Sequence, residues 1–217
     1  MKHTNVKKLV LLSLIAALAY VVVLAFPRIE VQGFLRYEPK DVVIVIGGFL
    51  LGPWAAVITS GLIALLEMVT ISSTGPIGCL MNALSTCSFA LTAALIYHKK
   101  RSLPGAIIAL AVGSIAMSAV MLLWNWLITP LYMEVPRSAV EAMLLPVFLP
   151  FNLIKAGLNS ALTLGLYKPL TAALRSARLL PPADSNKPKS TKPGIYIFAA
   201  LLLVTCILLL LVLQGKI

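Results

Sequence analysis

Apolar residues fill most of this chain in long runs, and polar residues gather between the runs or break them at single positions. The runs extend from Leu9 to Phe26, Asp41 to Leu51, Trp54 to Ile71, Cys79 to Tyr97, Leu103 to Tyr132, Leu145 to Leu166 and Ile195 to Leu213. A helix needs roughly 20 apolar residues to cross the hydrocarbon of a bilayer. Lipid offers no hydrogen bonds, so each run must satisfy its own backbone, as a helix does. The pattern predicts an all-α integral membrane protein: a six-helix core over residues 1–174 and a seventh, C-terminal transmembrane helix over 195–217. The second run is short and closes on GGFLLGP, where Gly52 and Pro53 mark a tight turn or break. The fifth is long enough to overshoot the bilayer, so it tilts or begins outside the hydrocarbon. Between core and last run, RSARLLPPADSNKPKSTKPG (residues 175–194) is rich in Pro, Ser and Lys and reads as a disordered cytoplasmic linker.

Composition narrows the picture. With 60% of residues hydrophobic and 12% charged, no sizeable soluble domain is available, so any chemistry sits within or beside the bilayer. The net charge of +11 raises a nucleic-acid reading, yet the basic residues are scattered between apolar runs without interleaved surface aromatics. Membrane topology explains them better. With the N-terminus in the cytoplasm, Lys2, Lys7 and Lys8, the cluster Lys99, Lys100 and Arg101, and the basic residues from Lys168 to Lys192 fall inside. Arg28, Arg36, Lys40, Arg137 and Lys216 fall outside. The opening MKHTNVKK has the charge pattern of a signal peptide, but the following run is too long for a signal core and no A-x-A site follows, so it reads as the first span. Cys79, Cys87 and Cys206 form no CxxC pair and His3 and His98 have no ligand spacing, so neither a disulfide nor a metal site is expected.

Polar residues inside the runs carry the candidate chemistry. In LPFNLIKAGLNS (residues 149–160), Asn152, Lys155 and Asn159 are spaced i, i+3, i+7 and share one helix face. A charge near the bilayer centre costs about 2.5–3.5 kcal/mol on insertion scales, so this stripe should face a protein interior or a ligand cavity. Snorkelling of Lys155, or its pairing with Glu67, is the structural alternative. In LLWNWLITPLY, Asn125 and Thr129 are i, i+4 neighbours, flanked by Trp124, Trp126 and Tyr132. An interfacial aromatic belt accounts for the tryptophans. A buried Asn125 amide still needs partners.

Two further stretches lie toward the same outer side. VQGFLRYEPKD (residues 31–41) reads as an amphipathic loop whose Phe34, Leu35 and Tyr37 close over a site. STGPIGCLMN (residues 73–82) supplies Gly75 and Gly78 for close backbone approach and Asn82 for a hydrogen bond. Amides offer donors and acceptors together, a lysine adds a donor, and aromatic rings cover a face. The set suits a small planar heteroaromatic solute captured from outside. No GxxxxGK[ST], HExxH or GxSxG motif is present, so neither self-powered ATP-driven transport nor hydrolysis is expected.

FLRYEPKD followed by GGFLLGP, then STGPIG and MN, NWLITPLYM and LLPVFLPFNLIKAGLN, resemble the riboflavin-specific substrate-binding (S) component of energy-coupling factor (ECF) vitamin transporters, over about residues 5–172. The resemblance implies a six-helix S-component bundle in the cell membrane, with an outward pocket roofed by the loop after the first helix. It implies that Asn125, Asn152 and Lys155 contact the isoalloxazine ring, with Asn82, Phe34, Leu35 and Tyr37 matching less closely. It further implies a transmembrane coupling subunit, met through the small residues Ser13 and Ala17, and two ATP-binding subunits. Packing of Ser13 and Ala17 within the bundle alone is the alternative. Riboflavin is then a transported ligand; no cofactor and no catalysis are expected. Rival readings keep the fold but take FMN or another vitamin, make Glu67 and Lys155 the proton-transfer pair of a membrane enzyme, or make the chain a self-sufficient secondary carrier. The linker and last helix depart from the family pattern, and the extra span either blocks one flank of the docking face or sits aside.

Overall fold

In the computed structural model, residues 2–26, 29–31, 35–72, 74–177, 179 and 193–216 are described. The apolar runs fold as α1 (Lys2–Ala25), α2 (Lys40–Leu51), α3 (Pro53–Thr70), α4 (Gly75–Lys99), α5 (Leu103–Met133), α6 (Arg137–Met143), α7 (Leu149–Ser176) and α8 (Pro193–Leu213). A π-helical turn, Leu144–Phe148, joins α6 to α7. Among the described residues, six segments are long and apolar enough to cross a membrane, with α6, the π turn and α7 counted as one. Exposed leucines, valines and isoleucines cover the outer faces of α1, α3 and α8, a surface suited to lipid. The chain is a multi-pass membrane protein, and the C-terminal helix is present as the sequence suggested.

The short second run has a structural cause. At 12 residues α2 spans only about 18 Å, too little to cross alone, and ten of those residues are buried. It is the central helix, packed against α1, α3, α4 and α7. Its end at Leu51 is forced by Gly52, whose φ of +111° admits the reversal into α3, and Pro53 then sits in the first turn, where no N–H is needed. At this end of the bundle Phe49 stacks on Tyr97 with ring centroids 4.2 Å apart, and the Tyr97 and Tyr167 hydroxyls lie 3.0 Å from each other. With Tyr167 edge-on to both, these rings fill the bundle at the C-terminal end of α2.

The segment after α1 is a two-stranded antiparallel hairpin, where a loop was expected. β1 (Ile29–Val31) pairs with β2 (Leu35–Tyr37), Ile29 opposite Tyr37 and Val31 opposite Leu35. Alternation sorts the two faces: Val31, Leu35 and Tyr37 are buried, while Glu30 and Arg36 pair at 2.9 Å on the outer face. Phe34, read as a lid residue, lies outside the described residues. So does most of the linker, at 178 and 180–192. The core boundary drawn at residue 174 falls inside α7, which continues to Ser176.

Candidate functional site

The apolar run that becomes α7 carries two prolines, Pro146 and Pro150. With no N–H at Pro150, the helix cannot begin in the ordinary register; the Leu149 N–H reaches back five residues to the Leu144 carbonyl instead. This π turn sets the azimuth of α7, so that Asn152 and Lys155 face inward, 3% and 4% exposed. Opposite them, Asn125 and Thr129 occupy the buried stripe of α5, just before Pro130.

Between these helices, α3, α4 and the roofing β2 strand lies a cavity of about 310 Å³. Leu35, Tyr37, Gly78, Asn82, Asn125, Thr129, Asn152 and Lys155 all line it. Its apolar wall comes from Met81, Met121, Ile128, Phe151 and their neighbours. An apolar box with few convergent polar groups is the usual composition of a small-ligand site.

The amides are already oriented. Asn125 donates from Nδ2 to the Met121 carbonyl at 2.7 Å, and its Oδ1 accepts from the Thr129 hydroxyl at 2.9 Å. Asn152 donates to the Phe148 carbonyl at 2.8 Å, and its carbonyl oxygen receives no hydrogen bond from the described residues. A side-chain acceptor on the cavity wall is thus open to a donor from a ligand.

Lys155 is held loosely from three sides. Its Nζ lies 3.6 Å from Glu38 Oε2, 3.6 Å from Asp41 Oδ2 and 3.5 Å from Ser85 Oγ. None of these is a short hydrogen bond, so the ammonium keeps donor capacity while its charge is compensated. The pairing of Lys155 with Glu67 that the sequence left open does not form. Glu67 instead takes Lys40, whose Nζ donates to both its oxygens at 2.5 and 2.6 Å. The proton-transfer pair proposed between Glu67 and Lys155 therefore lacks its contact.

Lys40, Asp41 and Glu38 are the residues that sequence reasoning missed as a unit. Lys40 was counted among the outer loop charges, yet it is 1% exposed at the start of α2 and donates to Glu38 at 2.8 Å. Asn82 Nδ2 donates to Glu38 and Glu67, each at 3.1 Å. Asp41, fully buried, accepts from Thr86 at 2.7 Å and from Asn159 at 3.2 Å. The signal available was three acids and two lysines within or against apolar runs, a set that must neutralise itself to stay buried. Burial works to raise the Glu38 carboxyl, and the Lys40 and Lys155 ammoniums outweigh it, drawing it down to about 2. Burial, with Asp41 and Cys206 nearby, pushes the Tyr37 phenol up, so it stays protonated and donates to Asn159 Oδ1 at 3.0 Å.

Asn159 therefore stands apart from the other candidates. It is fully buried and does not reach the cavity; it ties Tyr37 to Asp41 from behind the pocket wall. Outside the cavity lining, Ser13 and Ala17 are exposed on α1, while Ile15, Ala16 and Ala19 face the core. Neither side chain is packed inside the bundle.

A membrane bundle with a roofed, amide-lined cavity at one end and an aromatic plug at the other defines a membrane-embedded binding protein for a small solute. The profile of the family described as the substrate-specific component of ECF transporters matches residues 7–167, and the chain belongs to that family. It is 30% identical over 176 residues to a protein of Staphylococcus aureus (strain TCH60) named riboflavin transporter RibU, covering 78% of this chain and 93% of that one. It is 29% identical over 161 residues to the Bacillus subtilis (strain 168) protein named riboflavin transporter FmnP, covering 70% of this chain and 85% of the relative. A solved structure described as the S component of a bacterial ECF transporter superposes with a TM-score of 0.67 at 30% identity, over 79% of this chain and 99% of the other.

Proposed function

We propose that this protein captures riboflavin from outside the cell and serves as the substrate-specific subunit of an ATP-driven ECF transporter. The observation that carries the reading is the cavity itself: Asn125, Asn152 and Lys155, which the sequence singled out, converge on one roofed space in a chain whose relatives are named riboflavin transporters. The isoalloxazine ring lies against the apolar wall, and its polar edge meets the open acceptor of Asn152 and the donor of Lys155. Asn125 and Asn82 add edge contacts, Gly78 lets the backbone approach, and Leu35 and Tyr37 cover the ring. Thr129 fixes the Asn125 amide and Asn159 fixes Tyr37, each acting through its neighbour.

In this reading the chain sits in the cell membrane with its N-terminus in the cytoplasm and the hairpin outside. The exposed Ser13 and Ala17 face meets the transmembrane coupling subunit, which two ATP-binding subunits drive. The binding core runs to the end of α7 at Ser176, and α8 (Pro193–Leu213) is an added span reached through the basic cytoplasmic linker. Riboflavin is cargo: no cofactor takes part and no catalysis occurs. Titrating the detergent-purified chain with riboflavin and with FMN, and following the quenching of flavin fluorescence, tests the proposal. Saturable quenching by riboflavin supports it; quenching by FMN alone reassigns the ligand; quenching by neither removes it.

A further inference from the structure

The family match ends at residue 167, so α8 lies wholly beyond it. We infer that α8 is a brace for the hairpin that roofs the cavity, with Gln214 and Cys206 acting as positioning residues for ligand retention. Two contacts with the hairpin place it there, and a close approach to α7 fixes its position. Near its C-terminal end, Gln214 donates from Nε2 to the Glu30 carbonyl of β1 at 3.0 Å. One turn and more before that, Cys206 and Leu210 are buried in a single apolar cluster with Val31, Leu35 and Tyr37 of the hairpin. A third of the way along α7, Gly157 admits the close approach: a Cβ there would lie 2.7 Å from Cys206 Sγ.

The geometry has a functional consequence. Leu35 and Tyr37 present one surface to the cavity and belong to the cluster that α8 completes. β2 covers part of the cavity through Leu35 and Tyr37, and the same two residues share the apolar cluster with Cys206 and Leu210 of α8, in addition to the Tyr37 to Asn159 bond. α8 packs on α7, and the exposed face of α1 bearing Ser13 and Ala17 stays open, so bracing the roof does not occupy that face.

The inference rests on riboflavin as the ligand only for its kinetic arm. Two full-length variants test it. Gln214→Glu keeps the shape and removes the donor; Gly157→Val wedges α8 away from α7. Amide exchange across Glu30–Val31 and Leu35–Tyr37 in the ligand-free protein should accelerate in both, and riboflavin release measured by stopped-flow should quicken about two- to tenfold, the range for one lost hydrogen bond. Space filling alone would leave Gln214→Glu unchanged. If the native chain binds no riboflavin, the exchange arm still reads the brace. Native hairpin exchange in both variants overturns it.

Discussion

Lys155 poses an energetic problem at the residue scale, since an ammonium 4% exposed within a membrane bundle must be compensated at every moment. The chain does so with Glu38 and Asp41 at 3.6 Å, close enough to offset the charge and too far to consume its donors. Lys155→Ala and Asn152→Ala should each weaken riboflavin binding by about 1–3 kcal/mol, read as the shift in the quenching midpoint, because each leaves a ligand group without its buried partner. Unchanged midpoints in both would remove them from the site. Glu38 gives a pH signature. Its carboxyl is depressed from 4.5 to about 2, so the carboxylate stabilises the native state above pH 4.5, and that contribution fades as pH falls toward 2. The difference in thermal midpoint between the native chain and Glu38→Gln should therefore be full at neutral pH and shrink on acidification through that window; a constant difference contradicts the assignment. Asn125, Asn152 and Lys155 were legible in the sequence because each interrupts an apolar run. Lys40 and Asp41 were not. They border a loop, where charges are ordinarily solvated, and their partners Glu67 and Asn159 stand 27 and 118 positions away.

At the element scale the hairpin and α1 do separate work. The hairpin is too short to be stable alone and is held by what it touches: Tyr37 to Asn159, and Glu38 to Lys40. Tyr37→Phe leaves the Asn159 acceptor short of a donor, and a rise of about 1–3 kcal/mol in the free energy of riboflavin binding is expected, with faster release. An unaltered release rate would mean that β2 does not gate the pocket. For α1, Ser13→Leu with Ala17→Leu adds bulk to an exposed face and touches no cavity residue. Uptake in cells bearing the coupling subunits should collapse while purified-protein riboflavin binding stays native; loss of both would place those residues in the fold. The helices themselves were readable, since apolar run length fixes where a span can be. The strand pairing was not, because three-residue strands leave too little alternation to distinguish from a loop. Nor was the π turn, which arises from the spacing of Pro146 and Pro150 against the π-register bond from Leu149 to Leu144.

At the scale of the whole molecule, the proposed function assigns binding to this chain and energy supply to other subunits. The sequence carries no GxxxxGK[ST] motif, and the proposed function places ATP use in other subunits, so vesicles containing this chain alone should bind riboflavin without accumulating it, even with ATP inside. Accumulation by the chain alone would revive the secondary carrier. An ionic network and the hairpin sit at one end of the bundle and the rings of Phe49, Tyr97 and Tyr167 at the other, with α2 joining them. The measurement that tests riboflavin capture most directly is the visible absorption spectrum of the full chain, purified in detergent from riboflavin-supplied cells and desalted. A yellow protein, with flavin bands that release riboflavin on denaturation, is the expected result. A colourless protein that takes up no colour when riboflavin is added and the excess removed would contradict it.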